Sequence, residues 1–269
     1  MTSGKIIGII SLKGGVGKTT TVSNLGAALA NEFNKKVLII DGNFGAPNLG
    51  LHLGLFDPKV TIHDVLLDKI RAEEAIYEHP AGFHMIPAAF ISRQIQPFKL
   101  KQKIRHLKDL YDIILIDSSP NLNDEMLATM IASDELLVVT SPDYPTLSTT
   151  LRAIRIAKQK KTPITGLILN KVRNKKFELN IDDIEEAAGV PVVSVLPDDI
   201  NVLESVFYTS PVALHKPKAN SSVEYKKLAG SLIGENYKDI RLFPRIRNLL
   251  RKTIPKDEIN RTLMENDRK

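Results

Sequence analysis

One short segment near the start of the chain limits the fold more than anything else in it. Ser11-Leu12-Lys13-Gly14-Gly15-Val16-Gly17-Lys18-Thr19-Thr20 follows an apolar run, Lys5–Ser11, and opens a helical pattern, Lys18–Glu32. Strand, glycine-rich turn and helix in that order is the setting in which a backbone can wrap a phosphate. The glycines let N–H groups turn inward with no Cβ in the way. The helix N-terminus adds its dipole. Lys18 is then placed to reach the β- and γ-phosphates, and the Thr19 hydroxyl to ligate Mg²⁺. The expected nucleotide-facing set is Gly14, Gly15, Val16, Gly17, Lys18, Thr19 and Thr20.

The remaining pattern agrees with such a loop. Lys36–Asp41, Phe83–Pro87, Asp112–Asp117, Glu135–Thr140, Ile164–Asn170 and Pro191–Leu196 are short runs, apolar on both faces, as buried parallel strands are. Helical patterns over Phe98–Leu110, Leu147–Lys160, Ile181–Ala187 and Ser222–Ile233 lie between or after them. The alternation predicts an α/β fold, a mostly parallel twisted sheet with helices on both faces, of the P-loop NTPase kind. With no internal repeat and no linker before residue 235, the 269 residues divide into one nucleotide-binding domain, 1–235, and a helical tail, 236–269.

Composition removes several function classes. The chain has no cysteine, which excludes disulfides, thiolate metal sites, cysteine nucleophiles and cysteine-held iron–sulfur clusters. The six histidines are scattered and form no metal cluster pattern. No apolar run approaches the roughly 18 residues of a membrane span. Ile6–Ile10 is too short for the core of a secretory signal. The expectation is a cytoplasmic protein.

The phosphate loop departs from its common form. Leu12 stands where a first glycine is usual, and an extra early lysine, Lys13, gives K-G-G-x-G-K-T. On this deviant motif the chain resembles the MinD/ParA family of P-loop ATPases, and more closely its MinD side. The stretches Ala46-Pro47-Asn48-Leu49, Leu53-Gly54 and Val60–Leu66 fit the same pattern, and the likeness covers residues 4–235. It implies ATP and Mg²⁺ as ligands. It also implies that Lys13 reaches across to a partner's nucleotide, hence a homodimer in the ATP state. The iron–sulfur scaffold branch of the family is excluded, because those proteins use cysteines.

Two strand-end carboxylates complete the expected centre. Asp41 and Asp117 end neighbouring candidate strands, and carboxyl ends of parallel strands converge on the ligand crevice. Asp117 follows four apolar residues, Ile113–Ile116, as an Mg²⁺-holding aspartate does. Thr19, Asp41 and Asp117 form the expected metal set. Asp41-Gly42-Asn43 departs from the family's D-x-D first switch, since Asn43 replaces the aspartate that positions the attacking water. An amide cannot take up a proton, so slow hydrolysis is expected. Lys13, Lys18, Asp41 and Asn43 are the residues assigned to the reaction.

Asn170, Pro197 and Asp198 are assigned to the base by the same resemblance, although Asn, Pro and Asp also favour ordinary turns. Asn170-Lys171-Val172-Arg173 lacks the final aspartate of a guanine-reading motif, which favours ATP over GTP.

Charge is uneven. The net +6 of the chain includes +4 over residues 235–269. Within Arg241–Lys252, at about 100° per residue, Leu242, Phe243, Ile246, Leu249 and Leu250 share one side and the cations the other. A basic amphipathic helix of this type lies in an anionic membrane interface; the alternative is docking on the body or on a partner. Lys99–Lys108 is a second basic stretch, either a solvated face or, as in ParA-type proteins, a DNA-backbone surface. The combined expectation is a MinD-type ATPase cycling on and off a membrane for spatial positioning, such as division-site or appendage placement. An activating or cargo protein is expected as partner. A DNA-associated partition ATPase and a nearly inactive nucleotide-dependent scaffold are the alternatives.

Overall fold

The structure, a computed structural model, describes residues 3–90 and 95–239. The segment Arg241–Lys252 and nearly all of the expected tail lie outside the described residues.

Eight strands form one sheet: β1 Lys5–Ile10, β2 Val37–Gly42, β3 Tyr77–Glu78, β4 His84–Ile86, β5 Ile113–Ser118, β6 Glu135–Thr140, β7 Ile164–Val172 and β8 Val192–Pro197. Their order is β3-β4-β2-β5-β1-β6-β7-β8. Every pairing is parallel except β3 with β4. The seven expected strands are all present. β3 was not expected: two residues carry no periodic signal, and only the pairing with β4 makes them a strand.

The helices are α1 Lys18–Phe33, α2 Leu49–His52, α3 Ile62–Leu66, α4 Leu100–Ile104, α5 Asp124–Ala132, α6 Tyr144–Gln159, α7 Ile181–Ala188, α8 Ile200–Phe207, α9 Val212–His215 and α10 Asn220–Ile233. The stretch expected as one helix over 98–110 is α4 flanked by 3₁₀ turns, Pro97–Lys99 and Arg105–Asp109. Its spacing still does what it implied: Leu100, Ile104 and Leu107 are buried. α5 went unrecognised, although Asn123 caps it by accepting from the Met126 N–H at 3.0 Å.

Strand alternation explains the core. Ile7, Ile9, Ile39 and Leu115 face α1 and α10, whereas Leu38, Ile40, Ile114 and Ile116 face α3 and α4. Ile10, Leu136, Val138 and Leu167 face α5, α6 and α7. Both faces of the sheet are thus covered, and truncating one such isoleucine to alanine costs about 2–5 kcal/mol. The central strand β1 lies between β5 and β6, so the loop leaving it opens at the middle of the carboxyl edge. At the other end, residues 235–239 fold back on the helix layer: Lys35 pairs with Glu235 at 2.9 Å and Lys227 with Asp239 at 3.1 Å.

Candidate functional site

The turn between β1 and α1 wraps an open space. Gly15 and Gly17 take φ values of 74° and 96°, a left-handed conformation that side chains resist. A Cβ built on Gly14 or Gly15 would meet nothing within 4 Å, so the cradle has room for a bulky anion. Lys18 is buried at its floor. Burial pulls its pKa down, and the negative charge of Asp117 opposes that pull. A buried ammonium at the first residue of α1, beside an open glycine turn, is an anion site.

The carboxylates lie beside it. Asp41 and Asp117 are register partners on β2 and β5, both fully buried. The Thr19 hydroxyl donates to Asp117 Oδ2 at 2.6 Å, with Asn48 Oδ1 at 3.1 Å on its other side. Burial raises the pKa of both carboxyls, and for Asp41 the nearby Asp117 charge adds to the rise. Asp117 Oδ1 is buried without a hydrogen-bond partner. An orphaned carboxylate oxygen next to a threonine hydroxyl and an open phosphate cradle fits Mg²⁺, a hard cation that takes oxygen ligands.

Asp41 is partly committed elsewhere. Its oxygens accept from the backbone N–H groups of Asn43 at 3.0 Å and Leu49 at 3.2 Å, so it organises the first switch loop. The Asn43 side-chain amide donates to the Ala46 carbonyl and closes the same loop. Lys13 is turned along its own chain: its ammonium donates to Thr146 Oγ at 2.6 Å and lies 3.3 Å from Asp143 Oδ1.

A cleft of about 300 Å³ joins these parts. Gly14, Gly15, Gly17, Lys18, Thr19 and Thr20 line it, together with Asn43 and Asn48 and with Asn170, Pro197 and Asp198. The site residues inferred from the sequence therefore line one cleft, except Lys13, Val16, Asp41 and Asp117. Val16 faces away, buried in the core. Asn170 is turned toward the loop: its Nδ2 donates to the Val16 carbonyl at 2.7 Å, and its Oδ1 accepts from the Lys171 N–H at 2.8 Å. Asp198 pairs with Arg173 at 2.6 Å.

Several lining residues had no sequence signal as site residues. Val202, Leu203 and Val206 lie in a segment without a recognisable ligand pattern, and Asn48, although inside the family-like stretch after β2, carried no site assignment of its own. Tyr225 comes from α10, its phenol pushed up to about 12 by burial despite a hydrogen bond with Thr21. Away from the cleft, the basic stretch Lys99–Lys108 is partly neutralised within the chain: Lys99 and Lys103 pair with Asp68, and Lys108 with Asp134.

Residues 4–164 match the family model described as an AAA domain. An uncharacterized ATP-binding protein of Methanocaldococcus jannaschii is 37% identical over 86% of this chain and 88% of its own length. The septum site-determining protein MinD of a Synechocystis strain is 31% identical over 86% of this chain and 90% of its own. The MinD of Pyrococcus horikoshii, solved in complex with Mg-ADP, superposes with a TM-score of 0.80 at 33% identity, covering 85% of this chain and 95% of that one. With the deviant phosphate loop, the buried Thr19–Asp117 pair and these relatives together, the chain belongs to the MinD/ParA family of P-loop ATPases, which use ATP and Mg²⁺.

Proposed function

We propose that this chain is a MinD-type ATPase that dimerises on ATP, cycles on and off an anionic membrane surface, hydrolyses slowly, and serves spatial positioning with a partner protein. The observation that carries the reading is the one-sidedness of the cleft. The cradle opens at the carboxyl edge of the sheet, and large apolar side chains stand exposed around that edge. Leu51 and Phe56 follow β2, Leu122 follows β5, Tyr144 follows β6, Phe177 follows β7, and Ile200, Leu203 and Phe207 follow β8. An apolar rim of this kind marks an interaction face. A second copy placed there buries the rim and brings its Lys13 to the nucleotide.

In this reading Lys18 and the loop N–H groups bind the β- and γ-phosphates, and Asn170, Pro197 and Asp198 border the base. Thr19 and Asp117, with Asp41 behind them, would hold Mg²⁺, which neutralises phosphate charge when bound. Lys13 leaves Asp143 and Thr146 and supplies positive charge in trans. Asn43 orients water without accepting its proton, which supports slow turnover: losing a general base costs about 10²–10⁴-fold. The tail at Arg241–Lys252 then meets the membrane as a pair, so avidity sets residence. Among the described residues no helix is long and apolar enough to cross a membrane.

Liposome sedimentation tests the membrane half. The full chain should pellet with anionic vesicles in ATP, and remain in the supernatant in ADP or after truncation at Lys238. Full-length protein that stays in the supernatant with ATP contradicts it. Steeply salt-dependent binding to nonspecific DNA would instead favour a partition ATPase.

A further inference from the structure

Lys171 carries none of the assignments above, yet its position is unusual. The pairing of β7 with β8 passes from Leu169–Val195 to Val172–Pro197, so two residues of β7, Asn170 and Lys171, stand against one of β8. This is a bulge, and Lys171 adopts φ 59° within it. Regular alternation would send neighbouring side chains to opposite faces; a bulge re-aims them. Here both reach the phosphate loop. The Lys171 ammonium donates to the Gly15 carbonyl at 2.7 Å, and Asn170 Nδ2 donates to the Val16 carbonyl at 2.7 Å. The Lys171 N–H in turn fixes the Asn170 amide by donating to its Oδ1.

The consequence follows from peptide geometry. In a planar trans peptide the C=O and the following N–H point in opposite directions. Holding the Gly15 carbonyl toward β7 turns the Val16 N–H away from β7, and holding the Val16 carbonyl toward β7 does the same for the Gly17 N–H. We propose that Lys171 is a positioning residue which, with Asn170, clamps these two carbonyls and so presets the phosphate-binding N–H groups. The proposal rests on the loop's reading as a nucleotide site. It goes beyond that reading by giving β7 control over the shape of the cradle. It predicts uniform tightening of phosphate binding with no direct contact between Lys171 and the reacting atoms.

Calorimetric titration of Mg·ADP into wild type, Lys171→Met and Lys171→Arg tests it, together with the thermal midpoint of each protein without nucleotide. Lys171→Met keeps most of the stem and removes the donor. It should bind about tenfold more weakly, whereas Lys171→Arg should stay within about twofold of wild type. The nucleotide-free midpoints should agree within about 2 °C. Lys171→Met binding within about twofold of wild type overturns the clamp. So does an arginine variant as weak as the methionine one, or a lowered nucleotide-free midpoint of Lys171→Met. Failure of the wild type itself to bind ADP overturns the nucleotide reading and the clamp with it, which separates the two cases.

Discussion

The Thr19 hydroxyl donates to Asp117 Oδ2 at 2.6 Å, joining the first turn of α1 to the end of β5. The other oxygen of Asp117 is buried with no partner. Asp117→Asn should keep the fold, because burial already disfavours the charge it removes, but it should remove the oxygen charge suited to Mg²⁺. The expected result is about tenfold loss in Mg·ADP affinity, with little change in ADP affinity measured in EDTA. Equal Mg²⁺ dependence in the two proteins would contradict this.

Asn43 is a donor to the Ala46 carbonyl, a bond that an ionised aspartate cannot make. Asn43→Asp should therefore lose about 1 kcal/mol of stability while gaining a proton acceptor. Phosphate release should rise at least about tenfold. A variant that turns over no faster than wild type removes the explanation for slow hydrolysis.

Asp143 caps α6 by accepting from the Thr146 N–H at 2.9 Å, and Lys13 lies against the same carboxylate. Burial pushes its pKa up, but hydrogen bonds from Ser141, Thr146 and Lys13 outweigh it and hold the carboxyl at about 2. A depressed native pKa contributes stability above the unfolded value, near 3.8, and loses it as pH falls toward about 2. Denaturant midpoints should therefore fall more steeply between pH 4 and pH 2 in wild type than in Asp143→Asn. Asp143→Ala should also cost about 1 kcal/mol at neutral pH through the lost cap.

Gly17 links the loop to the base end of the cleft. A Cβ there would stand 2.3 Å from Asn170 Nδ2, on a backbone with φ 96°. Gly17→Ala should displace Asn170, strain the turn by about 1–2 kcal/mol, and abolish measurable ADP binding. Retained ADP affinity would show that the loop tolerates a different path.

What was legible in the sequence was what repeats locally. Seven strands are apolar on both faces over several residues, and the phosphate loop is contiguous, so each announced itself. β3 and α2 are too short to carry a period. α9 has only four residues, whereas α8, Ile200–Phe207, does carry an amphipathic pattern and went unread between the turn residues on either side of it. The contacts that shape the site join residues far apart: Thr19 and Asp117 are 98 positions apart, Gly15 and Lys171 are 156 apart. Family likeness pointed to Asn170, but only the folded chain shows its amide turned onto Val16. For the same reason nothing local assigned Lys171 or Tyr225 to the site: Asn170-Lys171 opens like a guanine-reading motif but lacks its aspartate, and a tyrosine in a helix is ordinary until α10 is placed.

The central claim is that ATP joins two copies across the open cleft through Lys13. Light scattering on a sizing column, with Mg·ATP and with Mg·ADP, measures it directly. The wild type should run as a dimer in ATP and a monomer in ADP, and Lys13→Ala should remain monomeric in both. A wild type that has the same mass in both nucleotides, or a Lys13→Ala protein that dimerises as readily in ATP, would contradict the claim.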